Sequence, residues 1–326
     1  MPKAVACLKP IMTLMGPTAS GKTALALRLY QALPIALISV DSMMVYRGME
    51  IGTGKPSPEI LQAIPHALVD IRDPLDYYCV ADFCKDAQQA IDAAHAADRI
   101  PLLVGGTMMY FHALKYGLAQ LPERDPLIRA QLEDREAREG LSGLYEQLLQ
   151  WDPVSAQRIH PQDPQRIHRA LEVCWITGGR MSDHLARQRA VLDHYAVHEY
   201  ALIPPDRAVL HHTIEQRFLE MIAQGWVGEV KKIIAQAVSA STPLPTSSIL
   251  KSIPALRAVG YQQIVAYLQG DLNEEAMVKR GMIATRQLAK RQLTWLRGWK
   301  NLHHLNPDLP SCFDTMVHVI EKLKNT

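Results

Sequence analysis

Eight residues, GPTASGKT from Gly16 to Thr23, fit the phosphate-cradling pattern G-x-x-x-x-G-K-[ST]. In such a loop glycines let backbone N–H groups turn inward onto phosphate oxygens, and the following helix adds its positive end. Gly16, Thr18, Ala19, Ser20 and Gly21 would form the cradle, Lys22 would reach the phosphate oxygens, and the Thr23 hydroxyl would hold Mg²⁺. The pattern does not say whose phosphates bind or what leaves. An ATP-hydrolysing loop of this kind also needs a carboxylate at the end of a second apolar strand to hold Mg²⁺. The run IPLLV, Ile100–Val104, ends instead in Gly105-Gly106-Thr107. The carboxylate is Asp41, after the run IALISV. It could hold metal, act as a base on an incoming nucleophile, or merely close a turn. Thr107 could bond a ligand or likewise serve only a turn.

A second feature is basic. Ala276–Lys300 carries Lys279, Arg280, Arg286, Lys290, Arg291, Arg297 and Lys300 with no Asp or Glu. At about 100° per residue, Lys279, Arg286, Lys290 and Arg297 share one helical face and Arg291 lies further round. Met277, Leu288, Trp295 and Trp299 are expected on the apolar side. A solvated helix usually mixes charge signs, so this face reads as turned toward a polyanion. Arg158, Arg166, Arg169 and Arg180 add positive charge earlier in the chain, with Asp163-Pro164 as the cap and first turn of a helix carrying Arg166 and Arg169. Arg217 reads, from its neighbours, as a helix-surface residue pairing with Glu220.

These groups need a frame. Ile11–Met15, Ile35–Val40 and Ile100–Val104 are short apolar runs alternating with helical stretches at Thr23–Leu33 and Phe83–Ala97. That alternation predicts an α/β fold, a P-loop-type parallel sheet flanked by helices, with function at the carboxyl ends of the strands. From about residue 121 to 195 the texture turns charged and helical (Leu121–Gly140, Leu144–Leu149, Gln165–Ile176), which predicts an all-helical insertion domain. Residues 1–120 and 196–326 form the core, with a strand at His198–Ile203, helix over His211–Ala237 and a polar loop at Ala240–Ser248.

Composition adds bounds. The 326 residues carry a formal charge of only +2, so the distribution of charge, not its sum, points to nucleic acid. The five cysteines, Cys7, Cys79, Cys84, Cys174 and Cys312, form no C-x-x-C pair, and the histidines form no H-E-x-x-H. Reduced thiols and no protein-held zinc are expected. No apolar run nears the roughly 20 residues of a membrane helix, and the N-terminal segment is a poor signal peptide. A cytoplasmic monomer without a membrane partner is the expectation.

GPTASGKT, DSMMVYRGMEIGTGKP, HALVDIRDP, IPLLVGGTMMYFHAL, RIHPQDPQRIHRALEV, IPALRAVGYQQ and ATRQLAKRQLTWLRGW follow one another along the chain. In this order they resemble the tRNA dimethylallyltransferase (tRNA isopentenyltransferase) family from about residue 10 to 300, in its bacterial form without the zinc-finger tail of eukaryotic members. The resemblance implies transfer of a dimethylallyl group from dimethylallyl diphosphate to N6 of adenosine 37 of tRNA, with pyrophosphate released and Mg²⁺ as cofactor. It implies Asp41 as the base at N6, Thr107 near the reacting centre, and Arg217 beside Lys22 on the leaving diphosphate. It assigns the anticodon stem-loop to Asp41, Ser42, Met43, Met44, Thr107, Arg129, Gln165, Arg166, Ile167, His168, Arg169, Arg257, Gly260, Tyr261, Gln262, Arg286, Lys290, Arg291 and Arg297, with the insertion clasping the loop. The target base must be flipped out to be reached. Met44, His168 and Gln262 depart from the family pattern and bear on tRNA preference. Other readings of the same P-loop are an adenylate isopentenyltransferase acting on free AMP, ADP or ATP, a small-molecule kinase, and an RNA-binding nucleotide switch. The first has no need of the insertion or the basic helix, and the missing acid after IPLLV argues against the other two.

Overall fold

The computed structural model describes residues 8–119, 121–185, 190–237, 250, 253–309 and 311–324. The expected loop at 240–248 and Cys7 lie outside them. In chain order the first elements are β1 (Pro10–Met15), α1 (Lys22–Ala32), β2 (Ile35–Val40), α2 (Pro58–Ala63), β3 (His66–Ala67), α3 (Val80–Ala96), β4 (Ile100–Gly105) and α4 (Met108–Tyr116). Then come α5 (Pro126–Trp151), α6 (Pro153–Arg158), α7 (Pro164–Thr177), α8 (Met181–Leu185) and β5 (Ala196–Leu202). The chain continues through α9 (Arg207–Ala223), α10 (Trp226–Ala237), α11 (Tyr261–Leu268), α12 (Glu274–Arg297), β6 (His303–Leu305) and α13 (Ser311–Lys324).

The chain divides into two compact units, residues 1–112 with 194–326, and 113–193. The helical unit therefore starts about eight residues before the expected 121 and ends at 193, not 195.

The first unit holds a parallel sheet in the order β3-β2-β4-β1-β5-β6. Its strands read as continuous apolar runs because both faces are covered. Met12, Leu14, Leu37 and Leu102 pack with Leu25 and Leu29 of α1 and Met316 and Ile320 of α13, while Ile11, Met15 and Leu103, on the other face, are equally buried. Register places Val40 opposite Gly105, and Gly105 opposite Met15. The ends of β2, β4 and β1 are thus level, and the residues that follow them, Asp41, Gly106 and Gly16, leave the sheet side by side. Sequence periodicity misses β3 and β6, which have two and three residues.

The second unit packs α5, α6 and α7 around Leu132, Leu144, Leu148, Ala156, Ile167, Ala170 and Leu171. Its long helix is broken at Gly140, whose φ of 75° is non-helical. Asp125, Asp152 and Asp163 each precede a first-turn proline and cap α5, α6 and α7. Among the described residues no helix is long and apolar enough to cross a membrane, and the described cysteines are free.

Candidate active site

The P-loop follows β1 and feeds α1. The N-terminus of α1 is bare: Gly21 precedes it at φ 87°, no side chain caps it and no acid lies in its first turn. By contrast α2, α5, α6, α7, α9 and α12 are capped by Ser57, Asp125, Asp152, Asp163, Asp206 and Asn273. The unsatisfied amides and the dipole of α1 are left for an anion. Ala19 takes φ 62°, a left-handed conformation that costs a non-glycine residue about 1–2 kcal/mol. Strain of this kind collects at binding loops.

A cavity of about 750 Å³ opens over this loop. Thr18, Ala19, Ser20, Gly21, Lys22 and Thr23 line one side, Asp41, Ser42, Met43 and Met44 another, with Gly105, Gly106, Arg217, Arg257 and Tyr261 completing the wall. Lys22 Nζ donates to Pro17 O at 2.5 Å and to Ser20 Oγ at 3.3 Å. Burial pulls the Lys22 pKa down to about 7, with Asp41 opposing the fall and Arg217 adding to it. Burial likewise lowers Arg217, against the raising influence of Glu220 and Asp41. Three basic side chains, Lys22, Arg217 and Arg257, thus share the cavity with one carboxylate, Asp41, a balance that suits a polyanionic ligand.

Arg217 is therefore not the surface ion-pair residue that its neighbours suggest. Among the described residues Glu220 acts on it through space only. The space is made by Gly54 of EIGTGKP, because a Cβ there would overlap Arg217 Nη2.

Of the expected roles of Asp41, the structure shows the closing of a turn. Its Oδ1 accepts from Met43 N at 2.8 Å and Met44 N at 3.2 Å, closing a turn. Its Oδ2 takes no hydrogen bond among the described residues. Thr107 N donates to Val40 O at 3.2 Å, and Thr107 Oγ1 accepts from Ser42 N at 3.1 Å. Thr107 therefore fastens the end of β4 to the Asp41 turn, with its hydroxyl hydrogen still available to donate.

Two residues that periodicity could not single out hold this arrangement. Glu229 of α10, 8% exposed, accepts from Glu50 N, Ile51 N and Gly52 N at 2.8, 2.7 and 3.2 Å and from Tyr261 Oη at 2.6 Å. It ties EIGTG to GYQQ. Gln292 of α12, 7% exposed, accepts from Thr18 N and donates to Gly106 O, both at 2.8 Å. The clue to each is a polar residue on the buried side of an amphipathic helix.

The expected RNA contacts sort into three kinds. Gln165, Arg166, Arg257, Gln262, Lys290, Arg291 and Arg297 are exposed or half-buried, and Ser42, Met43 and Met44 are half-buried on the cavity wall. Some others are engaged within the protein. Glu172, 1% exposed, binds Arg129 Nε at 3.1 Å and Arg169 Nη1 at 2.7 Å, and Arg169 also donates to Pro122 O. Burial pushes Glu172 up, but Arg169, the Asp125 amide and Arg129 together hold it below the usual carboxylate range. His168 Nε2 meets Glu136 at 2.7 Å, and Arg166, of the first kind, also pairs loosely with Asp163 at 3.3 Å while staying exposed. Arg286 pairs with Glu215 of α9, while the two acids of its own helix, Glu274 and Glu275, lie in the first turn. The third kind is buried. Ile167 is a core residue at 0% exposure, and Gly260 and the Tyr261 ring, 1% exposed, are interior. These three have little open surface in this structure, and of them Tyr261 also lines the cavity wall.

The apolar face of α12 also needs correction. Met277, Gly281, Ala289, Gln292 and Leu296 form the buried stripe, whereas Trp295 is 36% exposed, edge-on to His112. Gly281 admits the Phe218 ring, so a gap in the apolar pattern is in fact a point of close packing.

Comparison with known proteins agrees with this geometry. A family model described as IPP transferase matches residues 44–299, and one described as isopentenyl transferase matches residues 9–76. The chain is similar to the crystal structure of the full-length tRNA isopentenylpyrophosphate transferase from Bacillus halodurans, at 31% identity and TM-score 0.68, over 97% of each chain. It is also similar to tRNA delta(2)-isopentenylpyrophosphate transferase from Staphylococcus epidermidis, at 29% identity and TM-score 0.66, over 96% of this chain and 99% of that one. A eukaryotic dimethylallyltransferase acting on tRNA shares the fold at 24% identity and TM-score 0.77, over 96% of this chain and 78% of its own.

Proposed function

The chain belongs to the IPP transferase family and is a tRNA isopentenyl/dimethylallyl transferase, and from that premise we propose that it moves a dimethylallyl group from dimethylallyl diphosphate to N6 of adenosine 37, releasing pyrophosphate. The observation that carries this reading is a single cavity in which the P-loop, Lys22 and Arg217 face Asp41, with no carboxylate at the end of β4. It is a cradle for a leaving diphosphate beside a base, without the metal-binding strand-end acid of an ATP-hydrolysing loop.

The residues divide the chemistry. As the C–O bond to the diphosphate breaks, negative charge grows on the leaving oxygen. Lys22, Arg217 and the bare amides of α1 meet it in place, which is the form of stabilisation that contributes most to such reactions. The exocyclic amine of adenine is a weak nucleophile because its lone pair is delocalised into the ring. Asp41 accepts its proton as the N–C bond forms, and Thr107 steadies the turn that carries Asp41.

The donor set fits Mg²⁺. Thr23 offers a hard hydroxyl oxygen on the cavity wall, and among the described residues no cluster of three His, Cys, Asp or Glu would favour a transition metal. Held by Thr23, Mg²⁺ would neutralise part of the diphosphate charge. The exposed Lys290, Arg291 and Arg297 supply phosphate contacts for RNA, and a cytoplasmic, monomeric enzyme is the setting we infer.

The test is labelled dimethylallyl diphosphate offered to tRNA and to AMP side by side. Label in tRNA, at the N6 amine of position 37, with none in AMP supports the reading. Equal labelling of AMP would indicate an adenylate isopentenyltransferase. ATP hydrolysis stimulated by tRNA would overturn prenyl transfer altogether.

A further inference from the structure

Gln292 has no part in phosphate, metal or base chemistry, yet its side chain joins two of the loops that do. Its carboxamide bonds Thr18 N with one end and Gly106 O with the other. The approach is close: a Cβ on Gly106 would stand 2.5 Å from Gln292 Nε2 and 3.3 Å from Gly16 O. The strand-end loop continues into Thr107, whose Oγ1 accepts from Ser42 N next to Asp41. A chain of directional bonds therefore runs from the P-loop through Gln292 and Thr107 to the Asp41 turn. Glutamine carries a donor and an acceptor on one carboxamide at this length, whereas glutamate and methionine lose the donor and asparagine is one methylene short.

We propose that Gln292 is a positioning residue that sets the distance between the diphosphate cradle and the loop of the accepting base. The proposal rests on the transferase reading for its catalytic consequence, but the bond chain itself does not. Displacement of a reacting group by about 1 Å can cost a hundredfold in rate while leaving each substrate bound. Gln292 acts through the loops it joins, so its loss is felt in turnover and not in binding.

The variants are Gln292→Met, which loses both bonds, and Gln292→Glu, which keeps the acceptor for Thr18 N and loses the donor to Gly106 O. Expected in Gln292→Met is a fall in kcat of about tenfold to a hundredfold, with KM for tRNA and the Kd of pyrophosphate within about threefold of wild type. In Gln292→Glu kcat falls as well, and pyrophosphate binding weakens because the new carboxylate lies on the wall of the diphosphate cradle. Unchanged kcat in both variants overturns the proposal. So does a kcat loss in Gln292→Met matched by an equal loss of pyrophosphate affinity, which would make Gln292 only a prop of the P-loop. A measurement that needs no reaction separates this from failure of the transferase reading. Hydrogen exchange at the Ser42 and Thr107 amides should rise in Gln292→Met relative to the amides of β2. Equal protection in wild type and variant overturns the proposal even where transfer fails in both.

Discussion

The guanidinium of Arg217 stands where a side chain at Gly54 would have to be. A charged group of α9 thus reaches the cavity through a notch in a loop more than 160 positions earlier in the sequence. Gly54 also takes φ 63°, which a substituted residue rarely adopts.

Gly54→Ala should therefore act as a lesion of Arg217. We expect kcat to fall by about 10²–10³, the range seen when one charge-stabilising donor is removed. The double variant Gly54→Ala with Arg217→Ala should be no slower than Arg217→Ala alone, since residues acting on one contact are not additive. Additive losses would mean that the two act separately.

Asp41→Asn separates turn from base. An asparagine Oδ1 can still accept from the Met43 and Met44 amides, so the local fold should persist. Without a carboxylate to take the proton, turnover should drop by about 10²–10⁴, with tRNA affinity retained. Steady-state kinetics beside a filter-binding assay distinguish the two, and near-normal turnover removes Asp41 as the base.

A pH dependence follows from Lys22. Burial lowers its pKa to about 7, so below that pH the free enzyme presents an ammonium and above it an amine. A bound diphosphate favours the ammonium, so pyrophosphate affinity should weaken as pH rises through about 7, by up to one proton per site. Lys22→Arg, charged throughout, should flatten this profile. Calorimetric titration with pyrophosphate between about pH 6 and about pH 9 reads the slope.

On the exposed face of α12, Lys290→Glu with Arg297→Glu should weaken tRNA binding. The slope of log K against log salt should become shallower by about 0.7–0.9 for each phosphate that the protein no longer neutralises. Arg286→Gln should do less, because Glu215 already balances that guanidinium. Equal effects from all three positions would show that the Glu215 pair opens when RNA binds.

The parts of this site that a linear reading can find are those whose signal is local. β1, β2 and β4 are buried on both faces, so each is an apolar run, broken only by the buried Thr13 and Ser39, and their ends lead to Gly16, Asp41 and Gly106-Thr107. What stays hidden depends on partners remote in sequence. Gln292 lies 274 residues from Thr18, and Glu229 lies 179 from Glu50. Neither bond leaves a pattern in its own helix beyond a polar residue on the wrong side. Trp295 is misplaced by periodicity for a related reason. The true buried stripe of α12 includes Gly281 and Gln292, which a hydrophobicity pattern counts as breaks. Arg217 reads as an ordinary surface residue because the notch that receives it belongs to another segment.

Because β4 lies between β1 and β2, and the three strands end level, the P-loop and the Asp41 turn leave the sheet two strand widths apart, about 10 Å. Backbone hydrogen bonding fixes where the two loops leave the sheet, and side chains such as Gln292 set their separation beyond it. The sheet is in effect a ruler: in the proposed reaction, donor and acceptor would have to meet within the span that its edge sets. Preference for the length of the prenyl chain would then be a matter of the cavity walls, while the span itself belongs to the strand order.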